Sequence, residues 1–475
     1  MPTYEEVLEE NSELRGQITE QGRRIAEQEQ RIERQERRIE QLEKIIEDLR
    51  RGGKRQAAPF SKGEPKSHPQ RSGRKPAERY GQRACRSVPE RVDEILEVGC
   101  PSLCEACQSP VYRVGQESQF QIDLPEIRSW TTEFILHYGE CSRCGRRQIG
   151  RHPRQSSQAV GVAGVQIGPG VVSLATYLNK VGGLSYGKIA GLLEQMAGLR
   201  VSRSTLCRAL LRTAKKAQPI YEELVQAIRE SAVVYPDESG WRIGGRSGWL
   251  WAFTNRCETV YAIARGRGFA QAAAVLGESY AGVLVADGWA PYRRFLQATQ
   301  QTCLAHLLRR CREMLETAQG GAVRFPRQVK TILQAALAVR DRRTAGTLSP
   351  QGVRIAKGRL AAQMNRLLAG RITHPGNRRL AKHLRHHQKD LFVFLDRQDV
   401  EATNWPAEQA IRPAVVNRKS CGGNRTSRGA KAQSILTSLL RTCQQRGLNS
   451  LALFNTILRS PRPPSYQDLL AAPDR

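Results

Sequence analysis

The first fifty residues alternate polar and apolar positions with a period of seven. Isoleucine occupies one heptad position at Ile18, Ile25, Ile32, Ile39 and Ile46, after Tyr4 and Asn11 in the same register. The companion position holds Val7, Leu14, Gln21, Gln28, Gln35, Leu42 and Leu49. Isoleucine at a with leucine at d favours a parallel dimer, and Asn11 could fix its register. The glutamines weaken the seam, so a solvated single helix is the alternative interpretation. We expect a coiled-coil dimerisation helix over residues 1–50.

Helical periodicity returns between residues 160 and 230. The stretch LSYGKIAGLLEQMAGLRVSRSTLCRALLRTAKK (184–216) predicts a helix, a break at Gly198 and a second helix capped by Ser202 or Ser204. Three basic residues lie near the start of the second helix: Arg200, Arg203 and Arg208. The pattern is similar to a helix-turn-helix, whose second helix enters the major groove, although two packed core helices would look the same. We interpret residues 154–230 as a helical, helix-turn-helix-like DNA-binding domain.

A strand pattern begins after residue 230. The apolar run in SAVVYPDESGW leads to Asp237 and Glu238, and two further strands, a short helix and a buried strand ending at Asp287 follow. Asp287 falls on the same strand face as Val283 and Val285. Two apolar strands that each end in Asp can lie side by side, which would place both carboxylates at one edge of a sheet.

Neighbouring carboxylates repel each other unless a cation lies between them. Oxygen ligands of this type suit magnesium or manganese, and two such ions about 4 Å apart promote in-line attack on a phosphodiester. A third acid is then needed, and both Glu401 and Glu408 are near a helix that starts around Asn404 or Pro406. Because strand side chains alternate between faces, only one of Asp237 and Glu238 can face the metals. Spacing alone leaves both choices open.

The charge of the chain indicates a polyanionic partner. Lys and Arg outnumber Asp and Glu by 75 to 45, a net charge of +30, and the commonest such partner is nucleic acid. Residues 50–86 hold twelve Lys or Arg against two Glu, with many Pro, Gly and Ser. We interpret residues 51–95 as a flexible basic linker that gains affinity by counterion release, with a solubilising linker as the alternative. No apolar run approaches membrane-spanning length and no signal peptide begins the sequence, so we expect an intracellular protein without a membrane partner.

Two CxxC pairs stand out among the twelve cysteines. They are CEAC and CSRC, which supply Cys104, Cys107, Cys141 and Cys144. Four thiolates favour one structural zinc ion with no open position for catalysis. We expect a four-cysteine zinc-binding domain over residues 96–153, a zinc ribbon with strands in FQIDLPEI (120–127) and TTEFILHY (131–138). Cys100 could compete as a ligand and His137 is near, so the fourth ligand stays open.

The 120 residues between Asp287 and Glu408 are too many for a bare connection. They contain three helical stretches, CLAHLLRRCREMLETA, QVKTILQAALAVRDRR and VRIAKGRLAAQMNRLLAG. They predict a helical insertion over residues 301–400. Cys303 and His306 form a CxxH at its start, for which a buried cysteine and a capping histidine are the plain interpretation. Further along, three basic residues could hold the phosphate backbone: Arg412, Arg418 and Lys419.

Taken together, these motifs closely resemble the bacterial insertion-sequence-66 (IS66) family of transposases, members of the DDE superfamily with an RNase H-like core. The likeness runs through KRQAAPFSKG, GRKP, the paired CxxC, RSTL, PDESGWR, DGWAPY, CLAHLLR, NWPAEQAIRP and RKSCGGNR. The resemblance implies that Asp237, Asp287 and Glu408 are the catalytic, metal-binding acids and that Cys303 and His306 lie near them. The chain departs from the family pattern at Ser239, where the usual triplet is Asp-Glu-Thr.

The expected fold is therefore multidomain α+β. It comprises the coiled coil, the zinc ribbon, the helical DNA-binding segment, and an RNase H-like α/β core (231–300, with its final helix in 401–430) interrupted by the all-helical insertion. A C-terminal helical tail covers residues 431–475.

The resemblance also implies an activity. A DNA transposase would bind the terminal inverted repeats of its element, cleave the 3′ strand with magnesium or manganese, and join the end to target DNA. We expect a homodimer or higher oligomer in the bacterial cytoplasm, associated with the nucleoid, and accessory proteins of the element could take part. A DNA-binding regulator without catalysis and an RNase H-like nuclease without strand transfer are the alternatives.

Overall fold

The computed structural model of the chain describes residues 87–317, 319–462 and 464–471, and the isolated helical positions 16, 20–22, 28 and 35. Apart from those positions, the predicted coiled coil lies outside the described residues, as does most of the basic linker. The chain divides into two compact units, residues 1–122 and 123–475.

In the first unit, the described residues 87–122 contain a tight turn closed by a bridge between Leu103 and Pro110, and no helix. The second unit opens with a short antiparallel hairpin of β1 (Tyr138–Glu140) and β2 (Arg147–Ile149). The predicted ribbon strands over 120–127 and 131–138 are wrong, except that Tyr138 begins β1. Before Tyr138 neither segment pairs with a neighbouring strand, and side chains such as Ile122 and Ile135 stay exposed.

Three helices follow: α1 (Pro169–Lys180), α2 (Tyr186–Ala197) and α3 (Arg203–Arg229). Gly198 ends α2 in the left-handed conformation, with φ of +63°, as a C-terminal glycine commonly does. Of the two predicted caps for α3, the structure uses Ser202, whose side chain accepts a hydrogen bond from the backbone N–H of Thr205 at 3.1 Å.

A five-stranded mixed sheet forms the centre of the second unit. Its strands and the helices between them are β3 (Val233–Ile243), β4 (Arg246–Thr254), β5 (Thr259–Ala264), α4 (Phe269–Leu276), β6 (Val283–Ala286), the 3₁₀ helix Ala290–Arg294 and β7 (Thr299–Thr302). The strand order is β5-β4-β3-β6-β7, with antiparallel pairs between β3, β4 and β5 and parallel pairs between β3, β6 and β7. This order is consistent with an RNase H-like core.

Helices complete the fold after the sheet. They are α5 (Leu304–Thr317), α6 (Arg324–Thr344), α7 (Pro350–Ala369), α8 (Pro375–His386), α9 (Val393–Asp396), α10 (Trp405–Cys421), α11 (Ser427–Arg446), α12 (Ser450–Arg459) and α13 (Tyr466–Ala471). The chain between β7 and α10 is helical, as expected for the insertion. Among the described residues, no helix is long and apolar enough to cross a membrane.

The sheet buries both faces because successive side chains point in opposite directions. Val283 and Val285 of β6 join Val233 and Tyr235 of β3 in a core built with the helices of the insertion. On the opposite face, Val234, Leu284 and Ala286 pack with helices that include α3, α4 and α11. The sheet is thus a central layer between two helical layers.

Helix α11 also covers the edge strand β5. Hydroxyl groups one turn apart on α11, those of Ser434, Ser438 and Thr442, accept hydrogen bonds from backbone N–H groups of β5 at 2.8–3.1 Å. An edge strand left open presents unpaired N–H groups that invite pairing with another chain. Part of the segment predicted as a C-terminal tail is therefore built into the core.

Candidate active site

Asp237 lies in the middle of β3, opposite Ala252 of β4. The prediction that this strand ends at the acid is wrong, because β3 continues to Ile243 and pairs with β4 through a Gly244–Gly245 turn. Asp237 shares the strand face of Val233 and Tyr235, the side that carries the insertion. Asp237 therefore lies on the side of the sheet where helices can bring further acids close to it.

Asp287 follows β6 directly and lies level with Asp237. The parallel pairs of β3 and β6 join Val233 to Val283 and Val234 to Leu284, and Asp237 and Asp287 keep the same offset along their strands. One carboxylate oxygen of Asp287 accepts a hydrogen bond from the backbone N–H of Trp289 at 2.9 Å.

The next residue, Gly288, requires glycine. Its φ is +89°, and a Cβ there would lie 3.2 Å from ring atoms of His383 and His387. A larger residue would displace either the loop of Asp287 or the end of α8.

Glu408 lies in the first turn of α10. The helix start is fastened to β3, because the side-chain amide of the buried Asn404 donates to the carbonyl of Pro236 at 2.7 Å. The backbone N–H of Glu408 in turn donates to the carbonyl of Asn404 at 3.1 Å. Helix α10 therefore presents Glu408 beside the residue that precedes Asp237.

Asp287 and Glu408 both lie close enough to Asp237 to affect its pKa. That pKa is raised to about 7, mainly by burial and further by repulsion from Glu238, Asp287 and Glu408, while the backbone N–H of Glu238 opposes the rise. Like charges at close range disfavour ionisation unless a cation compensates them.

The donor set fits divalent ions that prefer oxygen. Carboxylate oxygens that converge on one face suit magnesium or manganese. Over residues 87–317, 319–462 and 464–471, no group of three or more Asp, Glu, His or Cys side chains is arranged so that it could hold a metal ion. A cation would relieve the repulsion from Asp287 and Glu408 that adds to the effect of burial on the pKa of Asp237.

The CxxH pair lies against the third acid. Nε2 of His306 is 3.9 Å from Oε1 of Glu408, and the Cys303 sulfur accepts a hydrogen bond from the backbone N–H of Asn404 at 3.1 Å. The Cys303 thiol, with smaller effects of Asp287 and Glu408, raises the pKa of His306 in spite of partial burial. Burial would raise the pKa of Cys303, but hydrogen bonds with His306 and Asn404 lower it. Nδ1 of His306 is buried without a well-oriented partner among the described residues.

The sequence alone did not reveal several residues at this site. His383 lies near Asp287, and burial followed by the neighbouring His387 lowers its pKa to about 4, so its imidazole is neutral. Asn404, Tyr292 and Arg267 were also missed. NWPAEQ and DGWAPY contain Asn404 and Tyr292, but no spacing rule connects His383 or Arg267 to the acids.

Residues 164–432, more than half of the chain, match the family model of the IS66 transposases. The chain belongs to the IS66 transposase family. No curated protein matches it. The match includes α1–α10, the sheet and all three acids of this transposase, while the paired CxxC and the N-terminal segments lie outside it.

The predicted DNA-contacting residues of the transposase lie in two places. Arg200, Arg203 and Arg208 are exposed around the start of α3, and Arg200 pairs with Glu194 at 2.9 Å. On α10, Arg412 and Lys419 are exposed.

Arg418 of α10 is instead partly committed to the sheet. It donates to the hydroxyl of Ser239 at 3.1 Å and to the carbonyl of Gly240. The hydroxyl at the position where the family usually has threonine therefore anchors α10 to β3.

The two CxxC pairs form matching turns, one in each unit. In both, the N–H of the first cysteine donates to the carbonyl five residues on, at 2.9 Å for Cys104 and 3.0 Å for Cys141. The residue after each second cysteine is left-handed, Gln108 with φ of 59° and Gly145 with φ of 67°. Each turn thus holds its two thiols side by side. A hydrogen bond with Ser109 lowers the pKa of Cys107, and one with Cys144 lowers the pKa of Cys141.

Proposed function

We propose that this transposase binds the terminal inverted repeats of its element, hydrolyses the 3′ strand at each end and joins the freed end to target DNA. The observation that carries the proposal is the placement of Asp237, Asp287 and Glu408 on one side of the sheet, where burial, and then repulsion between the carboxylates, raises the pKa of Asp237. A cluster of acids that is costly to ionise without a cation, in a chain of this family, supports metal-dependent phosphoryl transfer.

Asp237, Asp287 and Glu408 would hold two magnesium ions. Bound magnesium supplies activation of the attacking oxygen and stabilisation of the leaving oxygen during in-line displacement. Water attacks the phosphorus first, which breaks the bond to the 3′ oxygen and leaves a 3′-hydroxyl. That hydroxyl then attacks a target phosphodiester and displaces a second 3′ oxygen.

The residues around the acids orient them. Asn404 fixes the start of α10, and thereby Glu408, against β3. His306 faces Glu408 at 3.9 Å and holds a proton more firmly than a free imidazole, so it can orient this carboxylate by charge. Arg412 and Lys419 continue along α10 from Glu408 as exposed cations and could hold the phosphate backbone of the bound end.

The proposal is tested with purified protein and labelled DNA from the inverted repeats that flank its gene, in magnesium. We expect nicking at the 3′ ends followed by joining to a target plasmid. Cleavage without joining would support an RNase H-like nuclease, and binding without cleavage would support a regulator. Either of these results would overturn the proposal.

A further inference from the structure

Glu238, the acid next to Asp237, points to the opposite face of the sheet and is almost completely buried. Its side chain is 4% exposed. A buried carboxylate is costly unless charged and hydrogen-bonding partners compensate it. Both of its oxygens have such partners.

Arg267 and Tyr292 divide the two oxygens between them. Arg267 donates to Oε1 from Nε at 3.1 Å and from Nη2 at 2.7 Å, and the hydroxyl of Tyr292 donates to Oε2 at 2.8 Å. Tyr292 is itself buried, and burial together with Glu238 raises its pKa well above the usual value, so the hydroxyl keeps its proton.

Aromatic rings hold the arginine in place. The guanidinium of Arg267 lies 4.5 Å from the ring centroids of both Trp249 and Trp289. Such cation–π contacts stabilise a partly desolvated arginine. Trp249 is on β4 and Trp289 follows Asp287, so Arg267 connects the sheet with the loop that carries the second acid.

The loop that follows Asp287 is linked to that residue through Trp289. The backbone N–H of Trp289 donates to Asp287 at 2.9 Å, and the rings of Trp289 and Tyr292 meet edge to face at 5.6 Å. Glu238 therefore contacts the loop in two ways. It accepts a hydrogen bond from Tyr292 directly, and it holds Arg267, which in turn packs on Trp289.

We propose that Glu238 is a positioning residue that holds the loop from Asp287 to Tyr292 against β3 and so fixes the position of Asp287 relative to Asp237. The inference rests on the proposed function, since it assigns Asp287 a metal-binding role. Glu238 itself faces away from the three acids and binds no metal.

The experiment compares Mn²⁺ affinity and end cleavage in Glu238→Gln, Tyr292→Phe and the double variant. Loss of an outer-shell partner typically weakens metal affinity roughly 10- to 100-fold, and we expect each single variant to fall in this range. The double variant should bind Mn²⁺ no more weakly than the single variant with the lower affinity, because both changes remove the same contact between Glu238 and Tyr292. Cleavage should recover at high Mn²⁺ concentration.

Two controls separate positioning from general stability. Tyr280→Phe removes another buried tyrosine hydroxyl with a 2.8 Å hydrogen bond, to Ser231, and Glu278→Gln removes an exposed carboxylate. Both should keep wild-type Mn²⁺ affinity. Asp237→Asn serves as the blank for Mn²⁺ bound elsewhere.

The outcomes distinguish this inference from the proposed function. Wild-type Mn²⁺ affinity in Tyr292→Phe and Glu238→Gln, or reduced thermal stability with no change in affinity, would overturn the positioning role. If Glu238→Gln does not fold, Tyr292→Phe alone decides, since it keeps the ring and the buried ion pair. If wild type itself shows no Asp237-dependent Mn²⁺ binding and no cleavage, it is the proposed function that fails.

Discussion

Asp237 carries a partly buried carboxylate with a strongly raised pKa. Its pKa rises from 3.8 to about 7 because it is buried and three other carboxylates lie near it. A protein seldom keeps such a costly acid without a use for it, and perturbed acids of this kind cluster at catalytic sites. The strain should therefore be measurable in the protein without its metal.

The first prediction is that Asp237→Asn stabilises the protein at pH 8 in buffer without divalent ions. An acid whose pKa is higher in the folded state contributes stability when protonated, and this contribution is lost as pH rises from about 4 to about 7. The shift corresponds to roughly 4 kcal/mol at most, or several degrees in melting temperature. Wild type and variant should melt alike near pH 4 and diverge above pH 7, and parallel melting curves across this range would contradict the cause given for the shift.

The sequence predicts some of the residues around Asp237 and not others. Alternation predicts that Asp237 and Glu238 face opposite sides, and the structure places them so. It does not predict the partners of Glu238, because Arg267 and Tyr292 are 29 and 54 residues away and meet it only through the fold. His383 was missed for the same reason, since one histidine on an amphipathic helix carries no signal for contact with a distant loop.

Among the elements, the apolar strands and regular helices were predictable, and the short polar strand was not. The segments that form β3 to β6 contain runs of apolar residues, which predict strands directly. Strand β7 is TQQT, whose polar residues form one edge of the sheet beside the buried β6, so neither composition nor alternation indicates it. The ribbon strands predicted over 120–127 and 131–138 are the reverse error, since a segment that resembles a strand forms one only where a partner strand is available.

Helix α8 has one face packed in the core and another face that is exposed and basic. It buries Asn377, Leu380, Ala381 and Leu384 and places His383 and His387 against Gly288. Its other face exposes Arg378, Arg379 and Lys382, which form no ion pair with any described residue. From the start of α5 to the end of α9, residues 304–396, the chain has 19 Arg or Lys against five Asp or Glu.

The second prediction is that this face of α8 contacts the DNA backbone. Replacing Arg378, Arg379 and Lys382 together with alanine should weaken binding of end DNA at all sequences and lower the salt slope by about one per lost phosphate contact. The matched control replaces the exposed Arg354, Arg359 and Arg366 of α7, which removes the same charge. Equal losses in both triple variants would indicate only a general charge effect.

The third prediction concerns the two cysteine turns. Cys104, Cys107, Cys141 and Cys144 stay predicted ligands of one zinc ion, and the matching turns are suited to present two thiolates each. Metal analysis of the purified protein should give one zinc per chain, lost in Cys104→Ser and kept in Cys257→Ser, which changes an exposed cysteine on the β4–β5 connection. A folded protein without zinc would exclude this site.

At the scale of the whole molecule, one strongly basic segment of the chain lies apart from the proposed catalytic acids. The acids lie within the family match of residues 164–432, whereas the strongly basic segment of residues 50–86 precedes it. Phosphate contacts provide affinity without requiring chemistry, and metal-binding acids provide chemistry without much affinity. Binding and cleavage should therefore be separable by mutation.

The most direct test of the central claim is single-turnover cleavage of end DNA, measured beside binding, in Asp237→Asn, Asp287→Asn and Glu408→Gln. Each variant should bind the DNA with wild-type affinity in magnesium and neither nick nor join it, because each loses one ligand of the metal pair. Glu401→Gln, an exposed acid seven residues before Glu408, is the control and should cleave normally. Wild-type cleavage by Asp237→Asn, or loss of cleavage in Glu401→Gln with activity kept in Glu408→Gln, would contradict the assignment of the three acids.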